Sequence, residues 1–83
     1  MTKPTQPKRP KLIIRSGDQA RAMRKKLGLN QAEFWGRVGT TQSGGSRYES
    51  GRDIPDAVLM LLQIAYGPEH HASLLQEWLR SRP

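Results

Sequence analysis

The side chains in this sequence that can do chemistry are mostly cations. Fourteen Lys or Arg stand against seven Asp or Glu, for a net charge of +7. Lys3, Lys8, Arg9, Lys11 and Arg15 fall within the first fifteen residues, which hold no acid, so most of the excess sits on a tail. A basic tail beside a small domain points to nucleic acid, the plain alternative being a tail kept for solubility. Other chemistries lack their parts. His70 and His71 are adjacent rather than at i, i+4, and the chain has no Cys to complete a metal site. The carboxylates are scattered as caps and ion-pair partners, with no pair placed for acid–base work and no activated nucleophile nearby. The reading is a non-enzyme with no metal, no cofactor and no small-molecule ligand indicated.

A second set of polar side chains gathers between residues 30 and 49. Two short helices are expected there, Asn30 to Val38 and Gln42 to Glu49, joined by Gly39-Thr40-Thr41. Asn30 and Glu33 form a capping box at the head of the first, and Thr41 caps the second. Gln42, Ser43, Gly44, Ser46 and Arg47 leave the second helix polar or small-sided, with Tyr48 its only large ring. Two helices joined by a short turn containing Gly form the geometry that lays the second helix in the DNA major groove.

The elements that must position this pair follow from pattern. With 83 residues there is room for one small domain. We expect an all-α fold, a compact five-helix domain over residues 12–83 with a disordered basic arm over residues 1–11. The arm holds three prolines and too little apolar surface to offset its ordering entropy. Leu12-Ile13-Ile14 is either an extended piece lying across the core or a strand pairing with its copy in a dimer. The first helix starts at Ser16, where Gln19 completes a capping box, and Gly28 stops it. Its Ala20, Met23 and Leu27 share a face. Proline opens each of two further helices, 55–66 and 68–80. Val58, Leu59, Met60, Leu61, Leu62, Ile64 and Ala65 make the former apolar over so much of its girth that burial on more than one side is expected. His71, Leu74, Leu75, Trp78 and Leu79 give the latter a helical stripe. The longest apolar run, Ala57 to Leu62, is far short of the roughly 20 residues of a membrane span. Three apolar residues after the basic start make no signal peptide, so a cytoplasmic protein is expected.

Taken together, LGLNQAE, VGTTQ, RYESG and the following Pro-led apolar helix stand in the order and spacing of a known family. The stretch from Leu27 to Gly67 resembles the lambda-repressor-like helix-turn-helix proteins of Cro and CI type, the XRE family. The resemblance covers about half the chain. It implies base contacts from Gln42, Ser43, Gly44 and Arg47, and phosphate contacts from Gln31, Asn30, Thr41, Ser46 and Arg52. A Gln amide suits adenine N6 and N7, and an Arg fork suits guanine O6 and N7. It also implies an internal ion pair between Arg24 and Glu49. Lys8, Arg9 and Lys11 would add arm contacts beside the half-site.

One departure from the family pattern is informative. The family has a small Ala where Trp35 stands and a branched apolar residue where Gly45 stands. In the family the two positions face each other across the turn, so the resemblance implies that the Trp35 indole fills the space that Gly45 leaves. The implied protein is a transcriptional regulator of bacterial or phage type. It would bind double-stranded DNA, most simply as a repressor on a pseudo-palindromic operator. Such proteins commonly form homodimers, here with Leu75, Trp78 and Leu79 at the seam. The alternative is a protein–protein adaptor or antitoxin-like module using that same stripe.

Overall fold

The computed structural model describes residues 8–82. It contains five helices: α1 (Gly17–Lys26), α2 (Gln31–Gly36), α3 (Gln42–Glu49), α4 (Asp56–Tyr66) and α5 (Glu69–Ser81). The described residues contain no strand, and no helix among them is long and apolar enough to cross a membrane. The fold is all-α. Its core gathers Leu12 and Ile14 from the segment before α1, Ala20 from α1, Phe34 and Trp35 from α2, Val38 from the turn, Leu59 and Leu62 from α4 and Leu75 from α5.

The helix starts are local chemistry. Ser16 Oγ accepts from the Gln19 N–H, while Gln19 Oε1 reaches past Ser16 to the Arg15 N–H. At α2 the capping box is complete in both directions, with Asn30 Oδ1 taking the Glu33 N–H and Glu33 Oε1 taking the Asn30 N–H. Thr41 Oγ1 caps α3 through the Gly44 N–H. Between α2 and α3 the chain reverses at Gly39, whose φ of 74° is costly for any residue with a Cβ. The Thr40 N–H then returns to the Trp35 carbonyl, closing the turn.

Aromatic packing carries the helix pair onto the rest of the domain. Phe34 stacks on Tyr66 of α4 with centroids 4.2 Å apart, and the Tyr66 hydroxyl donates to the Phe34 carbonyl. Burial pushes the Tyr66 phenol above its ordinary pKa, partly opposed by the nearby Arg37 charge. On the other side α1 meets α3 backbone to backbone. A Cβ on Gly17 would overlap the Tyr48 carbonyl, so that crossing needs a glycine.

Several expectations are corrected. The structure ends α2 at Gly36 rather than Val38, since the chain is already turning at Arg37. Leu27 is exposed and Leu29 packs on the core in its place. The α4 helix is not buried all round. Leu59, Leu62 and Gln63 form its inward face, whereas Leu61 and Ile64 are 44% and 40% exposed. The arm divides. Residues 1–7 lie outside the described residues, but the stretch from Lys8 to Lys11 is seated on the domain rather than unstructured. Arg9 pairs with Asp56 at 3.2 Å, and the Lys11 carbonyl accepts from Gln63 Nε2 at 2.8 Å. Leu12 and Ile14 turn inward from that extended stretch, so it lies across the core.

Candidate nucleic-acid interface

The α3 helix is held from below by one carboxylate. Glu49, at its last position, accepts Arg24 Nε at 2.9 Å and Arg24 Nη2 at 2.8 Å, a two-pronged pair joining α1 to α3. Trp35 Nε1 of α2 donates to the same carboxylate at 2.8 Å, and Gln31 Nε2 donates at 3.3 Å. The Glu49 side chain is 4% exposed and that of Arg24 14%. Burial alone would raise the Glu49 carboxyl. The bonds from Arg24, Trp35 and Gln31, with the Arg24 charge, outweigh that and hold it below the usual carboxylate range. The hydrogen bonds to Glu49 raise the Arg24 guanidinium, against the opposing effect of burial. A charge-assisted, bidentate pair in a low-dielectric site is a rigid joint.

The floor beneath α3 is an indole. A Cβ on Gly45 would overlap Trp35 at Cδ1 and Cγ and lie 2.6 Å from Nε1. The ring therefore fills the volume a side chain at Gly45 would occupy, and Trp35 and Gly45 are both buried. Trp35 also contacts the Tyr48 ring, with centroids 5.4 Å apart. Gly44 has an internal reason to be small as well. A Cβ there would press on the Thr40 methyl at 3.1 Å and the Thr41 hydroxyl at 3.2 Å.

The upper face of α3 is open. Gln42, Ser43 and Arg47 are exposed, and Ser46 is half-buried. Gln42 does not stand alone, because its Nε2 donates to Gln31 Oε1 at 2.7 Å, tying the first residue of α3 to the first of α2. Asn30, Thr41 and Arg52 lie on the surface at the ends of these helices. Arg52 shares the wall of a shallow cleft with Arg15 at the head of α1. Of the arm residues, Lys8, Arg9 and Lys11 are each exposed or nearly so, with Arg9 already paired to Asp56. The proposed seam changes. Leu75 is 0% exposed inside the monomer core and is not available to a partner, while Trp78 and Leu79 are half-buried against that core.

Sequence reasoning missed one polar residue that organises the domain. Gln63 is fully buried among the apolar residues of α4. Its Oε1 accepts the Ile13 N–H at 2.7 Å while its Nε2 donates to the Lys11 carbonyl. The only sequence signal is a lone amide interrupting an apolar run.

Two capped helices about a glycine turn, the second anchored below and polar above, define a helix-turn-helix DNA-binding domain. Residues 21–65, more than half of the chain, match the profile of the RsaL-like HTH domain, and the chain belongs to that family. The match begins inside α1 and ends inside α4, so it spans the whole helix pair and leaves the arm and α5 outside. No curated protein and no solved structure matches the chain.

Proposed function

We propose that this chain is a sequence-specific transcriptional regulator of the lambda-repressor-like, Cro/CI (XRE) kind, acting as a repressor by occupying its operator. In this reading Gln42, Ser43, Gly44 and Arg47 face the major groove. Gln31, Asn30, Thr41, Ser46 and Arg52 hold phosphates, and Lys8, Arg9 and Lys11 add contacts beside the half-site. The observation that carries it is the asymmetry of α3. The helix is anchored from below by Arg24, Glu49 and Trp35 and presents Gln42 and Arg47 to solvent above. Rigid support under exposed, hydrogen-bonding side chains is what base readout requires.

A twofold homodimer would read a pseudo-palindrome with half-sites about 34 Å apart. With Leu75 occupied internally, its seam would draw on Trp78 and Leu79. Leu75 is equally closed to an adaptor's partner, so that reading would draw on the same Trp78 and Leu79.

Selection of bound sequences from a random DNA pool tests the proposal. The expected result is one enriched motif with twofold symmetry. Against its best member, Gln42→Ala and Arg47→Ala should each lose about 5- to 150-fold in affinity, from about 1–3 kcal/mol per base contact. Both variants binding as tightly as the parent would refute the groove assignment and favour the adaptor.

A further inference from the structure

We infer that Glu49 is a positioning residue for base choice: through Gln31 it fixes which way round the Gln42 carboxamide faces the groove. The inference rests on Gln42 being a base contact.

A glutamine amide has two orientations that differ only in which side donates and which accepts. Glu49, as a carboxylate, can only accept. Its other partners offer no alternative, because Arg24 and the Trp35 indole N–H are donors only. Gln31 must therefore turn its Nε2 toward Glu49, which leaves its Oε1 facing Gln42. Gln42 in turn must present its own Nε2 to that oxygen. What remains to Gln42 is Oε1 as an acceptor and one N–H as a donor.

That remaining pair has a base preference. One acceptor and one donor match the N6 amine and N7 of adenine. Were the chain of amides reversed, Gln42 would offer its oxygen to Gln31 and keep two N–H donors. Two donors match guanine, whose N7 and O6 are both acceptors. Reversal with Glu49 in place would set the Gln31 oxygen against a buried carboxylate. The polarity thus runs outward from the anchor to the reading surface, from a group that touches no DNA. The lowered pKa of Glu49 agrees with a group that is ionised at neutral pH.

Glu49→Gln tests this, because an amide at that position can donate as well as accept and no longer imposes a direction. Affinities of the full chain are compared for two duplexes that differ only by A·T or G·C at the pair read by Gln42. The parent chain is expected to prefer adenine by about tenfold or more. Glu49→Gln should bring that ratio towards parity while leaving the preference at the pair read by Arg47 unchanged. General loosening of α3 would lower both preferences together, and that outcome overturns the inference. Gln31→Met supplies a variant that keeps the Arg24–Glu49 pair. It should weaken binding to both duplexes and also erode the adenine preference. If the ratio survives in both variants yet is lost in Gln42→Ala, the orienting role is wrong and the base contact stands. If the parent shows no preference that depends on Gln42, both are wrong.

Discussion

The domain is held by two buried polar side chains of nearly equal size that work in opposite ways. Glu49 is charged and accepts only, and it draws Arg24, Gln31 and Trp35 from α1 and α2 onto the end of α3. Gln63 is neutral, and it accepts from Ile13 and donates to Lys11. Residues 11 and 13 of an extended chain point their backbone groups the same way, while Leu12 and Ile14 point into the core. One amide thereby satisfies a donor and an acceptor that a neighbouring strand would otherwise pair. The charged group needs a countercharge and gains directionality. The neutral group needs neither and gains only attachment. Rigidity under the reading helix and tethering of the arm are thus separate devices, and they fail separately.

The largest effect is expected from breaking the charged joint. Glu49→Ala leaves Arg24 buried without its partner and removes the acceptor of the Trp35 N–H. Loss of one member of a buried pair costs about 3–5 kcal/mol, and the small residual exposure of Arg24 places this variant near the lower figure. Urea denaturation at neutral pH measures it, and a change under about 1 kcal/mol would mean the pair is not a structural joint. The pH dependence has a definite sign. Because the folded carboxyl titrates below its unfolded value of about 4.3, its contribution is present above that pH and is lost as pH falls through the folded pKa. The acid limb of the parent's stability curve should accordingly be steeper than that of Glu49→Ala.

The next effect concerns the indole beneath the same helix. Gly45→Ile introduces a branched residue of the kind the Cro/CI resemblance implies at this position, and drives it into Trp35. Overpacking of this kind costs about 1–3 kcal/mol, set against roughly 0.5 kcal/mol gained in helix propensity by replacing a glycine with isoleucine. A net loss measured by thermal unfolding is the expected result, and an unchanged midpoint would refute the size exchange. Adding Trp35→Ala should recover less than the whole loss, since the indole also donates to Glu49.

What was legible in the sequence was mostly local or carried by the family pattern. Caps at Ser16, Asn30 and Thr41 and the reversal at Gly39 depend on residues within a turn of one another, so spacing alone reveals them. The expected helices 42–49, 55–66 and 68–80 agree with α3, α4 and α5 to within a residue at each end. The apolar pattern of α4 overstates its burial for a physical reason. An apolar residue reports that burial would be favourable, not that a partner lies on that side, and Leu61 and Ile64 have none in the described residues that buries them. Gln63 was invisible for the complementary reason. Its burial is favourable only because the Ile13 N–H and Lys11 carbonyl meet it from fifty residues away, and no local pattern encodes that meeting.

The neutral clasp should therefore break gently and locally. Gln63→Met keeps the length of the side chain and removes both hydrogen bonds to the arm. The Ile13 N–H and Lys11 carbonyl are near the surface, where water replaces part of what is lost, so about 1–2 kcal/mol is expected. Leu12 and Ile14 still favour the docked position, which makes opening of the arm more frequent rather than complete. Amide hydrogen exchange at Ile13 should quicken by about 5- to 30-fold, while amides in the middle of α3 keep their protection. Equal acceleration at both places would show that the clasp and the joint are one cooperative unit. On DNA, a freer arm should alter affinity alike for all sequences and leave the preferences at Gln42 and Arg47 intact. A shift in base preference would mean that the arm, and not only α3, takes part in reading.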